Sequence, residues 1–480
     1  MPALAADLDR IADLGYDVLQ IMPRQPYPSY NVHDYTDVST TYGDEDELRA
    51  LVDACHARGM RVILDILLHG VIDQEVMAAT AERVRGGPFA ARLAETTTDV
   101  WGSGQDSLDA RDIAWSRHIL DFEPYWSAGS PSRHPLADQH PEWFMRDSAQ
   151  RIIGVYTKAF DVANRAWQEY FCAAAEDLVR RLDVDGFRFD APTYNALPNW
   201  SEATSRRASH SPLGCLELFH LLRRRLKRVK ESVMLYTEPS GVLFHQSMDV
   251  TYNYDEQRLI PAVLRPRTDA AADIGVRNGR ELAGWLRDRD AVLPRGAVIA
   301  PHVDSHDTFW WPLPGEKWRR EQYGVAATRA LLAVFALSGG AYMTFVGGEC
   351  DIEPEVRRVH RLRAELPEIR TGRADYDVVA ADAAEVFAVA RSAGGRFTLV
   401  LVNLSAEAVT ASCTVAADRV GLAGGGAVLR DRWDAGDGVG GGQGAEIRME
   451  TQSEGTWTLR LPFEPYQVRV LSPPDAKMTP

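Results

Sequence analysis

Two rhythms alternate along the first part of the chain. Leu4, Leu8, Ile11, Ala12 and Leu14 recur at helical spacing, and Gly15 stops the run. Val18 to Met22 is almost continuously apolar and predicts a mostly buried strand ending at Pro23. Leu48, Leu51, Val52 and Cys55 predict a helix that ends near Gly59, and Arg61 to Ile66 predicts a buried strand. Apolar strands separated by amphipathic helices are the pattern of a parallel sheet covered on both faces. The same rhythm returns after residue 160. It predicts helices over 166–181, 216–229, 323–337 and 356–366, and strands over 184–190, 233–238, 248–254, 297–303 and 341–346. So many strands, each roughly paired with a helix, favour an α/β barrel over an open sheet.

Between the two stretches the rhythm breaks. Residues 71–159 carry Trp101, Trp115, Trp126 and Trp143 among many Pro and Asp residues, and they read as an irregular excursion from the α/β body. After about residue 375 the pattern changes to short strands between Gly-rich loops: Val386–Ala390, Phe397–Val402 and Trp457–Leu461. That is an antiparallel β domain. The predicted organisation is a barrel over 1–70 and 160–370, an inserted domain over 71–159, and a C-terminal β-sandwich over 371–480. The glycines of 436–444 do not join a strand to a helix, so they predict a hairpin loop and not a phosphate cradle.

Charge narrows the partners. The 53 Lys and Arg against 68 Asp and Glu give a net charge of −15. A nucleic acid or an anionic membrane needs a basic face, so neither is expected. No stretch reaches the about 18 apolar residues of a membrane span. The N-terminus lacks the basic start and apolar core of a signal peptide, which predicts a cytoplasmic protein. The 5 cysteines are far apart and odd in number, and none has zinc spacing. Reduced, mostly buried thiols are expected.

Three segments could carry chemistry. In Asp185-Gly186-Phe187-Arg188-Phe189-Asp190, alternation along a strand puts Arg188 and Asp190 on one face. An arginine there keeps the carboxylate ionised and oriented, fit for a nucleophile or, equally, for a buried structural ion pair. Val233 to Glu238 is an apolar strand ending in a carboxylate, either a general acid or an ordinary strand-end Glu. His302-Val303-Asp304-Ser305-His306-Asp307 runs from a strand into a polar cluster that could reach a ligand, without a zinc pattern. If all three strands belong to one barrel, their carboxylates converge at its C-terminal end. Paired carboxylates are the machinery of glycoside cleavage. A nicotinamide-dependent oxidoreductase is excluded, because no GxGxxG follows an early strand.

These segments resemble the motifs of the α-amylase superfamily of glycoside hydrolases and transglycosylases, in that family's order and over nearly the whole chain. Gly186–Asp190 resembles the second motif, which implies Asp190 as nucleophile with Arg188 as its paired arginine. Glu238 falls at the acid/base position. Val303–Asp307 resembles the fourth motif, which implies Asp307 as transition-state stabiliser and His306 as a sugar contact, with Ser305 in place of the usual Asn. Val62–Asp65 resembles the strand of the first motif and keeps Asp65. Ala159–Asn164 resembles the extra motif ahead of the nucleophile strand, and Gly339–Glu349 the eighth barrel strand. The implied architecture is a (β/α)8 barrel with a domain B after its third strand and a C-terminal β-sandwich.

The resemblance implies a retaining enzyme acting on α-glucosidic bonds of a carbohydrate substrate; the alternative is a non-catalytic amylase-like sugar-binding or scaffold protein. Domain B aromatics such as Trp101, Trp126 and Trp143 are candidates for sugar platforms or for plain packing. Three departures stand out. The first motif ends His69-Gly70 and not Asn-His, so the usual sugar-contacting His and the Asn that holds a structural calcium in many members have no counterpart. No cofactor and no metal ligands are expected, with the structural calcium of the family left in doubt. His33 stands where a sugar-stacking Tyr is common, before a retained Asp34. The first barrel strand is expected to be missing, because the sequence begins with what should be the first barrel helix.

Overall fold

The computed structural model describes residues 2–21, 35–36, 44–68, 70–72, 74–87, 90–91, 120, 135–146, 149–150, 157–190, 213–238, 244–251, 255–264, 274–306, 318–420, 428–433, 445–453 and 455–474. The contacts divide the chain into two units: Met1–Asn253 with Gly296–Val298, and Tyr254–Arg295 with Ile299–Pro480.

The first unit is built on a parallel sheet of five strands in the order β1 (Val18–Ile21), β2 (Arg61–Leu67), β3 (Gly186–Asp190), β4 (Met234–Thr237) and β5 (Val250–Thr251). Helices among the described residues connect β1 to β2, β2 to β3 and β3 to β4, as in consecutive βαβ units. Beyond β5 the sheet continues through the backbone of Val298, whose carbonyl accepts from Thr251 N–H at 2.8 Å. Strand β3 is buried at every position, as expected of a strand covered on both faces. Gly186 is there for space: a Cβ would meet the Met234 carbonyl oxygen at 2.0 Å.

The helices follow the apolar spacing and end on identifiable caps. Helix Glu45–His56 starts at a capping box, in which Asp44 accepts from Glu47 N–H and Glu47 accepts from Asp44 N–H. Its buried stripe is Leu48, Leu51, Val52 and Cys55. Helix Arg165–Leu182 is capped by Asn164, and Leu213–Val229 packs beside it. The ring cluster Phe160, Trp167, Phe171, Phe189 and Phe219 fills the layer between sheet and helices. A short antiparallel ribbon pairs Gly70–Ile72 with Thr157–Ala159, clasping the two ends of the 71–159 excursion.

In the second unit, helices Asp255–Leu264, Gly279–Val292, Val325–Ser338 and Glu353–Glu365 precede the antiparallel domain. The expected strand 341–346 is reduced to bridges: Ala341 and Met343 donate to the carbonyls of Ile299 and Pro301 at 2.7 and 2.9 Å, and the chain then turns. Positive φ at Gly339, Gly340 and Gly347 breaks the extended run at both ends.

The C-terminal domain is a sandwich. One sheet orders Glu446–Arg448, Val428–Asp431, Val468–Ser472, Arg396–Asn403, Val386–Ala393 and Arg373–Asp375. The other orders Glu450–Ser453, Thr456–Phe463, Val409–Ala416 and Val379–Ala381. A shared core of Ala388, Phe397, Leu399, Cys413, Trp457 and Leu459 lies between them.

The thiols are as expected. All five cysteines are free, and Cys55, Cys172, Cys215 and Cys413 are buried. Burial pushes Cys55 up to about 11 and Cys172, Cys215 and Cys413 up to about 12. No helix among the described residues is long and apolar enough to cross a membrane.

Candidate active site

The site of the first unit follows from strand register. Asp65 on β2 pairs with Arg188 on β3, and Leu67 pairs with Asp190. The two-residue period therefore sends Asp65, Arg188 and Asp190 to one face, while Phe187 and Phe189 pack in the opposite, helix-covered layer. Glu238 follows β4, and its N–H donates to the Phe189 carbonyl at 3.1 Å, which brings it level with the end of β3.

Arg188 is the hub. It is 1% exposed, and its Nη1 donates to both oxygens of Asp65 at 2.9 Å and to Asp190 Oδ1 at 2.6 Å. Its Nη2 donates to Glu238 Oε1. Asp65, Asp190 and Glu238 are themselves buried. One guanidinium thus contacts three buried carboxyl groups. Burial pushes Asp65 well above the usual carboxylate range, and Asp190 and Glu238 add to the rise against the pull of Arg188. Gln20 on β1 donates to Asp65 Oδ2 at 3.4 Å, a contact that the sequence reading did not single out.

At the other end of β3, Asp185 accepts from His56 Nε2 at 2.7 Å, from Val62 N–H at 2.8 Å, and pairs with Lys230 at 2.9 Å. Burial opposes ionisation there, but these donors together hold its carboxyl below the usual range. This cluster ties strand starts together and faces away from the strand ends that carry Asp190 and Glu238.

The second unit holds the described part of the fourth motif. Asp304, Ser305 and His306 are buried. Asp304 Oδ1 accepts from the backbone N–H of Arg319 at 3.0 Å, and burial pushes its carboxyl up to about 6. The His306 ring lies 6.4 Å from Phe345, which in turn lies 6.1 Å from Trp318. His33, Asp34 and Asp307 lie outside the described residues, as do Trp101, Trp115 and Trp126. Trp143 is not a platform. It is 6% exposed, stacked on His140 at 3.8 Å and on Tyr170 at 4.9 Å, so packing took the ring. No cluster of metal-ligating side chains occurs among the described residues.

Residues 3–99 match the family model of the α-amylase catalytic domain. A cyclomaltodextrinase of a Bacillus species is 23% identical over 319 residues, 63% of this chain and 44% of that protein. Over these stretches the chain is similar to α-amylase-family proteins. A 1,4-α-glucan branching enzyme of Salinibacter ruber is 20% identical over 367 residues, 71% of this chain and 48% of that enzyme. The alignments thus span less than half the length of these two curated relatives. Among solved structures, the α-amylase of Geobacillus thermoleovorans, complexed with acarbose, superposes with a TM-score of 0.65 at 15% identity. It covers 99% of this chain and 92% of its own. The maltogenic α-amylase AmyB of Thermotoga neapolitana gives a TM-score of 0.64 at 17% identity over 98% of this chain and 93% of its own. The likeness is one of fold: among the described residues it comprises the five-stranded parallel sheet with its helices and the C-terminal antiparallel β domain.

The structure brings together Asp65, Arg188, Asp190 and Glu238, and it carries His306 on the other unit. Strand alternation and strand ends made Arg188, Asp190, Glu238 and His306 candidates, and the family resemblance added Asp65. The sequence reading missed Gln20, although Gln20 is the polar exception in an apolar strand and that exception was the available signal.

Proposed function

We propose that this chain cleaves or transfers α-glucosidic bonds by double displacement. Asp190 attacks the anomeric carbon while the bond to the leaving oxygen breaks, and Glu238 gives its proton to that oxygen. Glu238 then takes a proton from water or from an acceptor hydroxyl. That oxygen attacks the same carbon and releases Asp190. Arg188 and Asp307 balance charge as the oxocarbenium-like transition state forms, and Asp65, His306, His33 and Asp34 bind the sugar.

One observation carries this reading. Neighbouring nitrogens of a single buried guanidinium hold Asp190 and Glu238. That suits a retaining pair, whose carboxyl groups are about 5–5.5 Å apart, better than an inverting pair with room for a water between them. The names of the relatives support the substrate class, since they include a cyclomaltodextrinase and a branching enzyme. The acarbose complex of the Geobacillus α-amylase supports a carbohydrate ligand here. The His69-Gly70 departure favours a second reading, a sugar-binding protein without turnover.

Intact-protein mass spectrometry after incubation with a fluorinated α-glucosyl substrate separates the two. A glycosyl adduct on the wild type and none on Asp190→Ala is the expected result. No adduct with glucosyl or maltosyl probes on folded protein would move the reading to sugar binding without turnover.

A further inference from the structure

Glu256 lies in the first turn of the helix Asp255–Leu264 and is completely buried. Its Oε1 lies 3.8 Å from Arg289 Nη1, and its Oε2 lies 3.8 Å from His302 Nδ1. Both distances exceed the roughly 2.7–3.2 Å of a direct N–H···O bond. Both carboxyl oxygens, and Arg289 Nη1, are buried with no direct hydrogen-bond partner among the described residues. Native proteins satisfy such groups, and where direct contacts are too long an ordered water does so. Two atoms bridged by one water, each about 2.8 Å from it, sit about 4.6 Å apart at a tetrahedral angle and about 3.8 Å apart when that angle narrows to about 85°. The observed 3.8 Å spacings fit a bridge with a narrowed angle at the water.

We propose that Glu256, Arg289 and His302 wall a buried water site, occupied by one ordered water that joins all three. The Arg289 guanidinium donates to the water, and the water donates to a Glu256 oxygen and to the His302 ring nitrogen. Three partners are what a buried water normally takes.

The electrostatics agree with that arrangement. Burial pushes Glu256 up to about 8, against the pull of Arg289, and pushes His302 down to about 3. Acid and imidazole are therefore both neutral near pH 7. Asp290 answers the Arg289 charge at 2.8 Å and accepts from the Tyr376 hydroxyl at 3.4 Å. Asp255 and Arg258 flank Glu256 on its own helix, while Arg319 and His306 act on His302 from its other side. The water ties together two helices and the 299–303 segment that runs on into Asp304 and His306. The site lies wholly within the second unit and is separate from the Arg188 cluster.

A crystal structure of the full chain, alone and as Glu256→Gln and Glu256→Met, tests the proposal. An ordered water within hydrogen-bond distance of all three groups is expected in the wild type. It should persist in the glutamine variant, which keeps an acceptor, and leave in the methionine variant. Direct contacts among the three side chains, or a water that stays in place in the methionine variant, would overturn it.

The unfolding equilibrium between pH 6.5 and 7.5 gives a second readout, independent of activity and of whether the methionine variant folds. The native state keeps a proton on Glu256 that the unfolded chain has released, so stability falls as pH rises toward the native value. The wild-type unfolding constant should rise about tenfold per pH unit relative to Glu256→Gln. Parallel profiles would mean a directly paired, ionised Glu256 and would sink the proposal.

Discussion

Replacing Arg188 with methionine keeps most of the buried stem and removes the charge that three carboxyl groups share. Arg188 sits 2.9 Å from both Asp65 oxygens and 2.6 Å from Asp190, and it also donates to Glu238. At about 4 Å between charge centres and an effective dielectric near 20, attraction to one carboxylate is worth ~4 kcal/mol. Much of that offsets the desolvation of the guanidinium, so the pair adds little net stability when intact. Breaking it is different, because uncompensated carboxylates stay behind in a dry site. The expected loss is about 3–5 kcal/mol. Urea unfolding followed by far-UV circular dichroism reads it at constant pH.

The double variant Asp65→Asn/Arg188→Met should recover part of the loss, with a coupling of about 1–3 kcal/mol between contacting sites. The pH dependence has a definite sign. Asp65 holds its proton in the native state to a pH well above the unfolded value of about 3.9. Its contribution is fully present below that unfolded value and is lost as pH rises through the native one. Asp65→Asn should remove this fall. An Arg188→Met protein within about 1 kcal/mol of the wild type would refute the reasoning, as would a double variant weaker than the single.

Other outcomes follow from the same geometry. Glu238→Gln should lower turnover of α-glucosides with poor leaving groups by about 10²–10⁴-fold, the usual worth of a general acid, and far less for activated fluorides; comparing the two substrates checks it. Gly186→Ala should destabilise by about 1–3 kcal/mol, because its methyl would meet the Met234 carbonyl at 2.0 Å, and thermal unfolding would show it. Asp185→Asn should flatten the acid limb of the stability profile. Asp185 is held ionised by His56, Val62 N–H and Lys230, so its contribution is present above the unfolded value of about 3.9 and disappears as pH falls below it. A thiol reagent on the native protein should spare Cys55, Cys172, Cys215 and Cys413, whose burial disfavours the thiolate; mass spectrometry counts the labels.

Sequence by itself determined the strands of the parallel sheet and the face on which the chemistry lies. A two-residue alternation is a local property, so Arg188 and Asp190 could be read onto one side of β3 before any partner was known. Apolar spacing likewise marked the helix stripe Leu48, Leu51, Val52 and Cys55 and the strands of the C-terminal domain. What periodicity does not record is which polar groups meet across long stretches of chain. That Arg188 serves Asp65 and Glu238 as well as Asp190 is set by the register of three strands. Glu256 reads as an ordinary acidic first-turn residue, favourable at a helix start, and only packing shows that it is enclosed against Arg289 and His302. Trp143 read as a candidate sugar platform with plain packing the favoured alternative, and the rings of His140 and Tyr170 show it packed. Residues 341–346 are apolar enough for a strand, but the glycines around them take backbone angles that a ladder cannot continue through. Local spacing fixes which way a side chain faces; tertiary structure decides what it finds there, because burial and charge balance are properties of the assembled neighbours.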